Sequence, residues 1–149
     1  YSSIRFANLK HDIHVTTIEL DIERYTKANQ NFKLCKLEDK ITSIHDDALT
    51  HDFSEKFDLI FIDAAKAQYI KFFEKYKNNL TKNGVIISDN LSFHGMVDDL
   101  TLTHNYSTKK LVKKIQKYVE FLKTNEEFET EFFEIGDRIS ISRKKSVEN

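Results

Sequence analysis

The side chains able to do chemistry in this sequence gather just after apolar stretches. Four places stand out: Glu19 after residues 14–18, Asp46-Asp47-Ala48 after residues 41–45, Asp63-Ala64-Ala65-Lys66 after residues 57–62, and Ser88-Asp89-Asn90 after residues 85–87. An acid ending a strand of a nucleotide-binding sheet can accept hydrogen bonds from both hydroxyls of a ribose, a task that suits Glu19. Taken alone, Glu19 is equally well read as a solvated strand end. Asp63 and Asp89 each close a run too apolar to keep a charge inside, and the Asn90 amide adds a third hard oxygen. Three oxygen donors suit Mg²⁺ or Ca²⁺ rather than zinc and leave positions for water and substrate. Either aspartate by itself could simply cap the following helix. The pair, with Lys66 between them in sequence, points to a site instead.

Such residues work together only if the elements before them form one sheet, because an open parallel sheet binds ligands beyond the carboxyl ends of its strands. Ser2 or Ser3 could cap a short helix through Ile4, Phe6, Ala7 and Leu9. Residues 14–20, rich in β-branched side chains, predict a strand, and Asp21 predicts the cap of a helix through Ile22, Tyr25, Ala28 and Phe32. Further strands are predicted over 41–45 and 57–63, the second so continuously apolar that burial on both faces is expected. Tyr69, Ile70, Phe72, Phe73, Tyr76 and Leu80 recur at helical spacing. Asn83-Gly84 punctuates before a strand over 85–88. A helix around 107–124 places Leu111, Ile115, Tyr118 and Leu122 on one face. The tail predicts a hairpin, with strands over 131–135 and 138–143 about a Gly136-Asp137 turn. The predicted fold is α/β, with a mostly parallel Rossmann-like sheet closed by a C-terminal antiparallel hairpin.

Composition narrows the classes further. With 149 residues, 40% of them hydrophobic, the chain can bury one sizeable core, and residues 1–149 are read as a single domain without repeat, low-complexity linker or proline. Its 23 basic and 24 acidic residues leave a charge of −1, which gives no global attraction to nucleic acid. A local one exists in Lys109, Lys113 and Lys117 with Lys110 and Lys114. That stripe could contact RNA phosphates or could be the solvated face of an amphipathic helix. The one cysteine, Cys35, excludes an internal disulfide, fits a reducing compartment and is expected to be buried packing. No apolar run approaches the roughly 20 residues of a membrane span, and no signal-peptide layout opens the chain, so a soluble cytoplasmic protein without a membrane partner is expected.

The motifs Phe-Ile-Asp-Ala-Ala-Lys at 61–66, Gly-Val-Ile-Ile-Ser-Asp-Asn at 84–90 and Phe-His-Gly at 93–95 resemble the catechol and caffeoyl-CoA type of S-adenosylmethionine-dependent O-methyltransferase. The resemblance covers nearly the whole chain. Within that family Asp-Ala-Ala-Lys-Ala-Gln and Asp-Asn-x-x-x-His-Gly look most like the bacterial tRNA 5-hydroxyuridine methyltransferases. The resemblance implies Asp63, Asp89 and Asn90 as ligands of Mg²⁺ or another divalent cation, and Lys66 as catalytic base. It implies that Glu19 holds the ribose of S-adenosylmethionine, Asp47 and Ala48 line the adenine, Tyr1 and Ser2 meet the methionine end, and Asp63 also faces the methionine amine. Phe93 could stack on a base or phenol, and His94 could touch substrate or a metal-bound water.

The chemistry is coherent. Methyl transfer from a sulfonium is an in-line displacement and a neutral hydroxyl is a poor nucleophile, so an oxyanion must be supplied beside the methyl group. A cation chelated by two adjacent substrate oxygens stabilises that oxyanion, and a lysine beside the cation has its pKa lowered enough to take the proton. Catechol offers two such oxygens, and so does 5-hydroxyuracil through its 5-hydroxyl and O4. The expected substrate is therefore tRNA hydroxyuridine or a small phenol. A nicotinamide dehydrogenase could use Glu19 but has no need of the three oxygen donors, and the closing hairpin suits it poorly.

Departures from the family pattern concern the start. The family's first strand and glycine-rich turn should precede Tyr1, and Gly84, Gly95 and Gly136 lie elsewhere. The N-terminal helices that cover the site and support a homodimer are also not found. The chain is thus expected to be a truncated enzyme with unpaired strand edges and weak cofactor binding, or a catalytically silent fragment.

Overall fold

In a computed structural model of the protein, residues 2–7, 13–62, 68–92 and 95–146 are described. Two compact units emerge, Tyr1–Asp52 and Phe53–Asn149.

In the first unit, α1 (Ser2–Ala7) is followed by β1 (Val15–Glu19), α2 (Ile22–Leu34) and β2 (Ile41–His45). Ser2 lies inside α1 rather than capping it from outside. Asp21 caps α2 as its position predicts: its carboxylate accepts from the amides of Glu23 (2.9 Å) and Arg24 (3.1 Å), satisfying two donors that the first turn leaves without helical partners. β1 and β2 pair in parallel from Val15 opposite Ile41 to Glu19 opposite His45, so their carboxyl ends finish side by side. Ala7, Phe32, Leu37 and Ile41 form the core, with Ile4, Val15 and Ala28 against it. Cys35 corrects an expectation, because it is exposed. It follows Leu34 as the C-cap, and Lys36 then turns at φ 57° so that the Leu37 amide reaches the Phe32 carbonyl (3.0 Å). That turn sends Leu37 inward in place of the thiol.

The second unit comprises β3 (Phe57–Ile62), α3 (Tyr69–Tyr76), β4 (Leu80–Ser88), α4 (Tyr106–Lys123), β5 (Phe128–Phe133) and β6 (Ile139–Lys144). Its sheet runs β3-β4-β6-β5, with β3 parallel to β4 and β6 antiparallel to both β4 and β5. The parallel strands and the closing hairpin that the strand pattern predicts are both present, but this sheet is mixed rather than mostly parallel, and β1 and β2 form a sheet of their own. Two further details differ. Asn83-Gly84 does not separate helix from strand but lies within β4, which begins at Leu80 and is accommodated by a register shift between Phe57 and Leu59. Glycine is needed there because a Cβ would sit 2.6 Å from Leu80 Cδ1 and 3.0 Å from the Asp58 carbonyl. β3 is also less buried than its composition predicts, with Leu59 exposed, because among the described residues it is an edge strand bonded only to β4.

The amphipathic reading of α4 holds with a shift of one position: Val112, Ile115, Tyr118 and Leu122 are buried, while Leu111 is only partly so. Phe73 meets Phe128 and Phe121 edge-on at centroid separations of 5.0 and 5.3 Å, and contacts of this kind add about 0.5–1.5 kcal/mol each beyond area burial. Among the described residues, no helix is long and apolar enough to cross a membrane.

Candidate active site

Of the residues singled out from the sequence, Glu19, Asp47 and Ala48 fall in the first unit and Asp89 and Asn90 in the second. Tyr1, Asp63, Lys66, Phe93 and His94 lie outside the described residues, and Ser2 is described only through its helical backbone.

The parallel register brings Glu19 and the segment after β2 together. Glu19 is half-buried at the end of β1, its Oε1 accepting from the Asp21 amide (3.1 Å), while its carbonyl accepts from the Asp46 amide (3.2 Å). His45 donates through Nε2 to the Leu20 carbonyl (2.9 Å) and lies 5.3 Å from the Tyr25 ring, so the bend after Glu19 is tied to the neighbouring strand. The Asp47 side chain accepts from the Leu49 amide (2.9 Å), and its carbonyl accepts from the amides of Thr50 and His51. This closed turn holds Ala48 half-buried. His51 Nδ1 bonds Asp46 Oδ2 (2.8 Å) and holds the Asp46 carboxyl below its ordinary pKa. Leu20, expected as the last strand residue, and Ile22, expected on the apolar face of the helix, are instead 63% and 55% exposed beside Glu19. A polar strand end flanked by open apolar side chains can receive a molecule with a hydroxylated and a flat apolar part. The signal available in the sequence was two aliphatic residues directly after a strand-terminal acid.

In the second unit, the β3–β4 ladder ends at Ile62 opposite Ser88, one residue short of Asp63 and Asp89 in the two sequences. Asp89 leaves the sheet with its amide donating to the Ile62 carbonyl (3.4 Å). Its Oδ1 accepts from the Asn90 amide (2.7 Å), and its backbone carbonyl accepts from the Tyr69 hydroxyl (2.5 Å). Asn90 turns in the left-handed region at φ 61°, which asparagine tolerates better than most side chains. Asp89 and Asn90 are both half-buried and offer hard oxygens, which fits a magnesium- or calcium-like ion and not a soft one. Among the described residues, no group of three or more His, Cys, Asp or Glu could hold a metal.

The loop beyond Asn90 is tethered by residues that the sequence did not advertise. The amides of Leu91 and Ser92 donate to the carbonyls of Arg138 (3.1 Å) and Asp137 (2.9 Å) in the β5–β6 turn. Arg138, itself at φ 67°, forks onto Asp98 through Nη1 (3.2 Å) and Nη2 (2.7 Å) and reaches Glu134 through Nε (2.8 Å). From α4, Gln116 donates to the Val97 carbonyl (2.7 Å). On the same helix Lys110, Lys113, Lys114 and Lys117 are exposed and Lys109 is half-buried.

Comparison with known proteins decides the family. A family model described as O-methyltransferase matches residues 1–145. The chain belongs to the O-methyltransferase family. The fold of this O-methyltransferase chain agrees with that of a candidate caffeoyl-CoA O-methyltransferase from Staphylococcus aureus, with a TM-score of 0.91 and 39% identity over 97% of this chain and 71% of that one. It also agrees with that of a Bacillus cereus O-methyltransferase solved in complex with SAH, at TM-score 0.80 and 25% identity over 97% and 69% of the two chains. A caffeoyl-CoA O-methyltransferase of Populus kitakamiensis is 26% identical over 144 residues, which cover 91% of this chain and 61% of the relative. The chain thus spans about three-fifths of the curated relatives it matches first.

Proposed function

We propose that this chain is the greater part of a metal-dependent enzyme that moves a methyl group from S-adenosylmethionine to a hydroxyl, with 5-hydroxyuridine in tRNA as substrate. The observation that carries the reading is the Asp89–Asn90 turn, where two hard-oxygen side chains follow one another at the carboxyl end of β4 with the aspartate pinned by the next amide. In this reading residues 1–149 form one methyltransferase domain of a longer protein that pairs as a homodimer and works in the cytoplasm.

The residues divide the task. Glu19 accepts hydrogen bonds from the cofactor ribose, Asp47 and Ala48 line its adenine with Leu20 over the ring face, and Tyr1, Ser2 and Asp63 meet the methionine end. Asp63, Asp89 and Asn90 hold the divalent cation. When bound, S-adenosylmethionine supplies an electrophilic methyl group and the cation lowers the cost of an oxyanion on the substrate. Lys66 accepts the hydroxyl proton at Nζ. Phe93 is assigned to stack on the base or phenol and His94 to touch the substrate. The exposed lysines of α4 favour a polyanionic substrate. A second reading, methylation of a small catechol-like phenol, is favoured by the names of the caffeoyl-CoA relatives.

The test incubates the intact protein with labelled S-adenosylmethionine, Mg²⁺ and either hydroxyuridine-bearing tRNA or a catechol, with and without chelator. Label in tRNA supports the first reading and label in the phenol the second. Transfer that survives both chelation and Asp89→Ala refutes the metal mechanism.

A further inference from the structure

Two buried tyrosines converge on the peptide that carries Asp89. Tyr69 of α3 and Tyr118 of α4 are 1% and 0% exposed, and their rings stack at 4.9 Å with 9° between planes. Their hydroxyls do not share a target. Tyr69 donates to the Asp89 carbonyl (2.5 Å), and Tyr118 bonds the Oγ of fully buried Ser88 (2.6 Å). Packing alone asks for neither hydroxyl, since phenylalanine fills the same space, and burying a hydroxyl costs stability unless it finds a partner. Both polar atoms are therefore spent on successive residues at the end of β4. There the sheet no longer fixes the chain firmly: the Asp89 amide reaches Ile62 only at 3.4 Å, and Asn90 has already turned to positive φ.

We propose that Tyr69 and Tyr118 are positioning residues that fix the Asp89-Asn90 peptide and the Ser88 side chain before it, and through them the direction of the Asp89 carboxylate toward a divalent cation. The inference rests on the metal reading above. The carboxylate is held on one side by the Asn90 amide, at 2.7 Å to Oδ1. That bond keeps a constant direction only if the peptide plane between Asp89 and Asn90 does not rotate, and the Tyr69 hydroxyl grips the carbonyl of that plane. The stacked rings couple the two grips, so α3 and α4 together set the orientation.

Outer partners that orient a metal ligand typically change metal affinity by about 10–100-fold when removed. The probe is Mn²⁺, titrated into the intact protein and followed by loss of the free-ion electron paramagnetic resonance signal. Tyr69→Phe is expected to weaken Mn²⁺ binding about tenfold. Ser88→Ala with Tyr118→Phe deletes both hydroxyls of the second grip and leaves neither partner unpaired, so the fold is retained while Mn²⁺ binding weakens several-fold. Phe128→Leu, which loosens the same aromatic core where β5 pairs with Lys144 rather than near Ser88, is expected to bind Mn²⁺ as wild type does. Wild-type Mn²⁺ affinity in both tyrosine variants, with binding lost in Asp89→Ala, overturns the positioning role and spares the metal site. An equal loss in Phe128→Leu overturns it also, by showing a general effect of stability. Unchanged binding in Asp89→Ala overturns the metal reading and this inference with it.

Discussion

Asn90 is asked to do two things, and substitutions separate them. Its backbone sits at φ 61°, a region that costs an ordinary L residue roughly 1–2 kcal/mol, that asparagine enters more readily and that glycine enters freely. Its side-chain oxygen is a proposed metal ligand. Asn90→Gly keeps the turn and removes the oxygen. Asn90→Ala removes the oxygen and strains the turn, so it should be less stable than Asn90→Gly by about 1 kcal/mol, the backbone cost less the entropy that glycine loses on ordering. Urea unfolding reads that difference as a shift in midpoint at constant slope. Both variants should lose Mn²⁺ affinity to the same extent, since neither retains the amide. Equal midpoints for Ala and Gly would refute the backbone reasoning, and wild-type Mn²⁺ affinity in Asn90→Gly would refute the ligand assignment.

Gly84→Ala should destabilise the protein by about 1–3 kcal/mol, because the added methyl meets Leu80 and the Asp58 carbonyl inside a filled space; a thermal midpoint within error of wild type would contradict this. The Arg138 guanidinium bonded to Asp98 holds that carboxyl below its ordinary value. A depressed carboxylate stabilises the fold fully above its unfolded pKa of about 3.9, and the contribution disappears as pH falls through the lower folded value. Amide protection at Leu91 and Ser92, whose partners are the carbonyls of Arg138 and Asp137, should therefore drop below about pH 4 and should be insensitive to pH between about 5 and 7. Hydrogen exchange measured across that range checks it, and Asp98→Asn should flatten the acid response.

Features set by local chemistry were legible in the sequence. Asp21 announces its helix because a carboxylate before an apolar periodic run has few other uses, and the hairpin follows from two short strand patterns about Gly136-Asp137. The strand ends that bear Glu19, Asp47 and Asp89 were legible for the same reason: a charge after an apolar strand must face outward. What tertiary contact decides was not legible. Asn83-Gly84 carries a turn signal, yet the register shift opposite it lets the strand run through. Cys35 lies in a helical pattern, but the left-handed turn at Lys36 hands its core place to Leu37. Tyr69 and Tyr118 read as apolar helix faces, and nothing in their spacing tells where their hydroxyls end. The same holds for Arg138, whose partners lie 4 and 40 positions away.

The position of β3 at the margin of its sheet matters for handling the protein as well as for its fold. Phe57 and Leu59 lie on a strand that has β4 on one side and no second neighbouring strand among the described residues. Such an edge is a template for any extended segment that reaches it, whether from the same gene product or from another molecule. Solubility of this stretch of chain should thus depend on concentration, and a lysine at Leu59, already facing solvent, is the substitution that would discourage chains from adding to one another.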